Sequence, residues 1–134
     1  MKKFDYYIGI DVSKLTLDVS ILSECEKGAL TEHYKIENRE KSIAQFVKNK
    51  LGIYATEQLL FCFEDTGIYS MPLACYLNDQ ELTYWQVASV EIKRSKGISR
   101  GKDDKIDSKD IAFYACTHMH KFRESRISAQ SIRQ

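Results

Sequence analysis

The sequence has few of the residues that interrupt regular structure. Its 134 residues include a single proline, Pro72, and six glycines, and no tract is of low complexity. No apolar run is long enough to span a bilayer, and the lysines at the start lead directly into a short strand-like run. A membrane helix and a signal peptide are therefore not expected. One globular domain in the cytoplasm is the prediction.

The cysteines lack the C-x-x-C spacing that is typical of zinc and redox motifs. The four cysteines are Cys25, Cys62, Cys75 and Cys116, and three of them lie within apolar runs. Buried thiols are predicted in preference to a zinc site or disulfides.

The net charge is only +1, but it is unevenly distributed. The first 90 residues carry 9 basic and 13 acidic side chains, whereas the remaining residues carry 11 and 6. Charge alone leaves two interpretations of the basic third open, a solvated face and a phosphate-binding surface.

Hydrophobic patterns predict an α/β fold with five strands. Two runs are apolar on both faces, as expected of central strands: FDYYIGIDV and QLLFCFE. Two others alternate, and they follow the first run so closely that an antiparallel meander is predicted: LTLDVSIL and LTEHYKIE. The fifth strand is LTYWQVA.

Three helices complete the predicted order β-β-β-α-β-α-β-α. They are REKSIAQFVKNKL, with Asn38 as its cap, IYSMPLACYLND, and a last helix from about Asp104 to His120. The segment Ser89–Arg100 is polar and basic, and a basic loop is predicted at residues 94–103, around Gly97 and Gly101. Helix-joined strands after a meander predict a mixed five-stranded sheet with helices on both faces.

Acidic side chains end both predicted central strands. Asp11 closes the first and Glu64 the second, and ligands in open α/β sheets bind at the carboxyl ends of strands. Asp104 and Asp107 are three apart, so they are predicted to share one face of the last helix. Asp103 lies four residues before Asp107, and Asp110 continues the stripe. Crowded carboxylates favour a cation, and oxygen ligands suit Mg²⁺ or Mn²⁺.

Basic residues surround the second half of this acidic set. Two metal ions can activate an attacking oxygen and stabilise a leaving one in phosphodiester chemistry. The residues predicted to hold a nucleic-acid backbone are Lys93, Arg94, Lys96, Arg100, Lys102 and Lys105. Each feature also has a simpler interpretation: Asp11 as a turn residue, Asp104 and Asp107 as charges favouring a helix N-terminus, and the lysines as solvated surface.

Three blocks, in this order and spacing, resemble a known family. They are IGIDVSKLTLDVSIL, FEDTGIY and SKGISRGKDDKIDSKDIAFYA. They look like the motifs of the DEDD-type transposases of bacterial insertion sequences, the family numbered one-ten, which is related to the Piv-type DNA invertases. The resemblance runs from about residue 7 to residue 115.

The resemblance implies a RuvC-like catalytic domain of the RNase H-like fold at residues 1–120. Residues 121–134 would be a tail or the start of a linker to a serine-containing C-terminal domain that this chain lacks. The catalytic, metal-binding positions would fall on Asp11, Glu64, Asp104 and Asp107, with Mg²⁺ (or Mn²⁺) as cofactor.

Partners follow from the same resemblance. Members cleave and transfer DNA strands at element ends and target, work as homo-oligomers in bacterial cytoplasm at the nucleoid, and are in many cases guided by a structured RNA. The isolated domain would be inactive alone.

The sequence departs from the family's motifs in two places, and two alternative functions remain open. The family's Lys-Thr-Asp is Lys102-Asp103-Asp104 here, which leaves the third ligand open between two aspartates, although spacing favours Asp104. Its Asp-Ala is Asp107-Ser108. One alternative is a sugar-kinase-like or actin-like ATPase half, but the loop after Asp11 lacks the glycine for phosphate that such proteins use. The other is a non-catalytic nucleic-acid-binding module.

Overall fold

A computed structural model describes residues 4–23, 25, 32–96 and 106–127, which are built around a five-stranded mixed sheet. The strands are β1 (Tyr6–Val12), β2 (Thr16–Leu22), β3 (Glu32–Glu37), β4 (Leu59–Glu64) and β5 (Tyr84–Val87). Their order across the sheet is β3-β2-β1-β4-β5. Strand β2 is antiparallel to both of its neighbours, whereas β4 is parallel to β1 and to β5. The predicted mixed α/β sheet with its meander is confirmed.

Four α-helices accompany the sheet in the described residues. They are α1 (Glu40–Phe46), which continues as a π-helical turn (Val47–Leu51), α2 (Met71–Asp79), α3 (Ser89–Ser95) and α4 (Ser108–Thr117). Pro72 lies in the first turn of α2, where its missing N–H costs nothing. In the parts of the chain that the structure describes, no helix has the length and hydrophobicity needed to cross a membrane.

Helices α1 and α2 cover one face of the sheet. Ile8 and Ile10 of β1 and Phe61 of β4 are buried there against Ile43 of α1 and Leu73 of α2. Because strand side chains alternate, the odd-numbered residues of β1 point the other way, toward α3 and α4. With both faces covered, β1 and β4 need apolar residues at nearly every position, which explains their uninterrupted hydrophobicity.

Helix α4 touches the backbone of β1 at Gly9. A Cβ atom there would overlap the carbonyl oxygen of Ser108 and the backbone of Ala112, so only glycine permits this approach. The hydroxyls of Ser20 and Ser108 hydrogen-bond at 2.6 Å, and both side chains are buried. These contacts fix the first turn of α4 over β1 and β2.

Three local predictions are wrong. The predicted order has no helix directly after the fifth strand, but α3 forms there because Ile92 is completely buried against the α4 side of the sheet. Tertiary packing of one apolar residue stabilises a helix that its composition alone does not favour.

The last helix starts at Ser108 rather than near residue 104, because Asp107 has extended backbone angles and caps it. Arg39 precedes α1 without a side-chain cap, and Asn38 instead donates to the carbonyls of Ser13 and Tyr69.

Two of the four cysteines are paired, contrary to the prediction of thiols throughout. Cys25, just after β2, and Cys116, near the end of α4, form a disulfide with a Cα–Cα distance of 5.6 Å. Helix α4 runs back along β1, which brings its last turn toward the end of β2. Cys62 and Cys75 are not in a disulfide, and Cys62 is fully buried.

Residues 122–127 lie along β5. The amide of Ser125 donates to the carbonyl of Tyr84 at 2.8 Å, and the Ser125 hydroxyl accepts from the amide of Gln86 at 2.9 Å. Phe122 packs edge-on against Trp85 with ring centroids 5.6 Å apart. The outer edge of β5 is therefore covered by this stretch.

Candidate active site

Asp11 and Glu64 lie side by side at the carboxyl ends of two parallel strands. The register pairs Ile10 with Phe63, so the next residue of each strand falls in the same row and on the same face of the sheet. That face is the one covered by α3 and α4. Both side chains are partly exposed where the helices leave the sheet edge open.

Burial and two charged neighbours, Asp11 and Lys93, act on the pKa of Glu64. Burial raises the pKa of Glu64, the negative charge of Asp11 raises the pKa further, and the positive charge of Lys93 on α3 opposes both effects. A neighbouring carboxylate raises a pKa because the like charge disfavours the ionised form of the acid.

A third carboxylate belongs to the same row. Asp18 on β2 lies directly opposite Asp11, and we call Asp18, Asp11 and Glu64 the acidic row. Like charges directly opposite one another destabilise an antiparallel pair. On β3, the Lys35 ammonium offsets this repulsion at 3.9 Å from the Asp18 carboxylate, and the His33 ring lies 3.6 Å from the same carboxylate.

The alternation in LTLDVSIL puts Asp18 on the polar face of β2, but the strand pattern alone does not connect it with Asp11. The signal was available in the turn. The amide of Ser13 donates to the carbonyl of Thr16, so residues equidistant from this tight turn must pair. Counting outward from it gives Val12 with Leu17, and then Asp11 with Asp18.

Asp107 caps α4 instead of lying on a helical face. One of its carboxylate oxygens accepts from the amide of Asp110 at 2.9 Å, and the Asp110 carboxylate accepts from the amide of Asp107 at 3.1 Å. The expected stripe of aspartates on one helical face is therefore wrong at Asp107. Because the following residue, Ser108, rests on Gly9, Asp107 lies at the same end of the sheet as Asp11.

Several predicted site residues lie outside the described residues: Arg100, Lys102, Asp103, Asp104 and Lys105. Within the described ranges, no three His, Cys, Asp or Glu side chains form a group that could hold a metal ion. The structure thus brings Asp11 together with Glu64, and places Asp107 at the same edge in a capping role.

The predicted basic residues differ in their surroundings. Lys93 acts electrostatically on Glu64. Arg94 lies 3.6 Å from the carboxylate of Glu91 and is highly exposed. Lys96 forms an ion pair with Asp110 at 2.9 Å, with about a third of its side chain exposed, so its charge is directed toward the start of α4.

The turns after the two central strands are tied together. Asn38 bridges the carbonyl of Ser13, which follows β1, and that of Tyr69, which follows β4. Asp65, the residue after Glu64, accepts from the amide of Gly67 at 3.1 Å and from the Gln86 side chain at 3.2 Å. Asp65 therefore serves the turn, and Glu64 is the carboxylate that faces the row.

The donor set fits a hard divalent cation. Asp11 and Glu64 offer carboxylate oxygens only, which Mg²⁺ and Mn²⁺ prefer, and a cation between them would relieve the repulsion that raises the pKa of Glu64.

A family comparison identifies the class of this protein as transposase. The matching model is that of the DEDD transposases of the IS110 type, described as "Transposase", and it covers residues 8–134. The chain belongs to this family, as the three sequence blocks had indicated. A search of curated proteins finds no match.

Proposed function

We propose that this domain binds Mg²⁺ or Mn²⁺ through Asp11, Glu64, Asp104 and Asp107 and cleaves and transfers DNA strands during transposition of an insertion sequence. The observation that carries the proposal is the Asp11–Glu64 pair at the carboxyl edge, with the pKa of Glu64 raised by burial and by Asp11. When bound, the metal supplies positive charge to the attacking and leaving oxygens of a phosphodiester.

The chain's own residues hold this chemistry in place. Asp11 and Glu64 extend from central strands that are packed on both faces, so their carboxylates are held by the most rigid part of the fold. Lys93 adds a positive charge beside Glu64, where a DNA phosphate would approach. Asp107 offers its second carboxylate oxygen, since the first is used to cap α4.

The wider assembly is part of the proposal. Residues 1–120 form the RuvC-like catalytic domain, and residues 121–134 are a tail or the start of a linker to a serine-containing domain. DNA phosphates are bound by the basic residues of the 93–105 region. The transposase acts as a homo-oligomer, and a structured RNA guides it to its target.

Thermal unfolding with added Mn²⁺ tests the metal site in the 134-residue chain. A ligand that binds only the native state stabilises it, by about 2.7 kcal/mol at one hundred times its Kd. We expect Mn²⁺ to raise the melting temperature of the wild type and of the control Asp79→Asn, whose exposed carboxylate ends α2. Asp11→Asn should abolish the rise while remaining folded.

A strand-transfer assay with the complete transposase extends the test to chemistry. Asp11→Asn and Glu64→Gln should abolish strand transfer, and Asp79→Asn should leave it unchanged. Full recombination by Asp11→Asn would refute the proposed role of the acidic pair.

A metal-independent binding module is the second candidate, favoured by the position of Lys93. Its ammonium already supplies part of the counter-charge to Glu64. DNA or RNA binding that ignores metal, together with full activity of Asp11→Asn and Glu64→Gln, would favour this candidate.

A further inference from the structure

One carboxylate oxygen of Asp110 joins the end of α3 to the start of α4. It accepts from the amide of Asp107 at 3.1 Å and from the ammonium of Lys96 at 2.9 Å. Asp110 in turn donates its own amide to the Asp107 carboxylate at 2.9 Å. We call Lys96, Asp110 and Asp107 the clasp.

The clasp closes the chain on both sides of residues 97–105. Lys96 ends α3 and Asp107 precedes α4, so the two described ends of that segment are held within one hydrogen-bonded group. The Lys96 and Asp110 side chains are only 33% and 30% exposed, which strengthens the ion pair relative to a fully solvated one.

The clasp also determines how Asp107 presents its carboxylate. With one oxygen bound to the amide of Asp110, the side chain of Asp107 has a fixed rotation, which sets the direction of both carboxylate oxygens. Since Lys96 and the backbone amide of Asp107 bind the same Asp110 oxygen, Lys96 fixes the Asp107 backbone through Asp110. In other metal sites, loss of a group that orients a ligand in this indirect way typically lowers metal affinity about 10- to 100-fold.

We infer that Lys96 is a positioning residue of the proposed metal site, acting through Asp110 on Asp107. The inference rests on the proposed function for its metal readout. The clasp itself does not depend on the proposed function, because amide hydrogen exchange tests it in metal-free protein.

Three variants separate these roles in the 134-residue chain. Lys96→Met removes the ammonium and keeps most of the aliphatic stem, whereas Lys96→Arg retains the charge and the donors. Lys121→Met is the matched control, because it breaks a comparable ion pair at 3.7 Å, to Glu91 of the same helix α3, without touching the clasp.

Amide hydrogen exchange in metal-free protein tests the clasp. We expect the amides of Asp110 and Ile111, which bond to Asp107, to exchange about tenfold faster in Lys96→Met. Lys96→Arg and Lys121→Met should exchange like the wild type. Unchanged exchange in Lys96→Met would overturn the clasp whether or not the protein binds metal.

Mn²⁺ titration followed by melting temperature tests positioning. The Mn²⁺ concentration giving half of the stabilisation should rise about tenfold in Lys96→Met and stay near the wild-type value in Lys96→Arg and Lys121→Met. Faster exchange with an unchanged half-saturation would overturn the positioning role and leave Lys96 a purely structural residue. A wild type that ignores Mn²⁺ would contradict the proposed metal site and the positioning role, while the exchange data would still decide the clasp.

Discussion

Glu64 and Asp110 are partly buried carboxylates whose environments act in opposite directions. Burial and the charge of Asp11 raise the pKa of Glu64 above its ordinary value. Burial alone would also raise the pKa of Asp110, but hydrogen bonds from Asp107 and from Lys96 outweigh it, and the pKa is lowered. The environment of Glu64 thus favours its neutral form, whereas the environment of Asp110 favours its ionised form.

The two shifts predict opposite pH dependences of stability. The raised pKa of Glu64 contributes stability that is present below its unfolded pKa and is lost as pH rises through its folded pKa. Stability from Asp110 is present above its unfolded pKa and is lost as pH falls through its lowered folded pKa. With metal chelated, Glu64→Gln should therefore be more stable than wild type at pH 7, and Asp110→Asn less stable.

Urea unfolding at several values between about pH 3 and pH 7 measures both effects. The gain of Glu64→Gln and the loss of Asp110→Asn should each shrink toward the acidic end. A Glu64→Gln variant less stable than wild type at pH 7 would contradict the crowding of Glu64 with Asp11.

Helix α4 depends on a contact that a single methyl group would prevent. At Gly9, a Cβ atom would meet backbone atoms of Ser108 and Ala112, which have no flexible side chain to move aside. At Gly67 a Cβ atom would meet nothing within 4 Å, but the residue has φ +66. The two glycines therefore serve different needs, close approach and left-handed backbone.

Alanine at these two positions distinguishes the needs. Gly9→Ala should lower the free energy of unfolding by about 3 kcal/mol through overpacking. Gly67→Ala should cost about 1–2 kcal/mol through backbone strain. Denaturant unfolding gives both values, and a Gly9→Ala variant no worse than Gly67→Ala would show that α4 does not rest on β1.

The elements differ in how far their sequences specify them. Strands β1 and β4 were predictable because burial on both faces demands an apolar run. The start of α4 was predictable in principle from Asp107 and Asp110, three residues apart, as a capping pair. Their place in an acidic run favoured a helical stripe instead. Helix α3 was not predictable, because Ile92 gains its burial only from the assembled sheet.

At the scale of the molecule, the strand order could be anticipated but the cysteine pairing could not. A tight meander followed by helical crossovers leaves few sheet topologies open. Cys25 and Cys116 are 91 residues apart in sequence, and only the direction of α4 along β1 brings them together. In the site, Asp11 and Glu64 followed from strand ends, whereas the ion pair of Lys96 with Asp110 depends on how α3 and α4 meet.

The disulfide predicts a redox-dependent stability. A cross-link between residues so far apart restricts the unfolded chain, and it typically contributes about 2–5 kcal/mol. Reductant should lower the melting temperature of the wild type and of Cys75→Ser, but not that of Cys116→Ser. Thiol titration of the denatured, unreduced chain should detect two thiols, Cys62 and Cys75. Detection of four would show that the pair is not oxidised.

The stretch along β5 has a consequence for how copies of this chain meet. An uncovered strand offers unpaired amides and carbonyls to another sheet, and such pairing leads to aggregation. Residues 122–127 occupy the β5 side. Within the described residues, β3 forms the opposite margin of the sheet. This strand carries three charged side chains and a histidine: Glu32, His33, Lys35 and Glu37. Continuous sheets running from one molecule to the next are thus disfavoured at both of these margins.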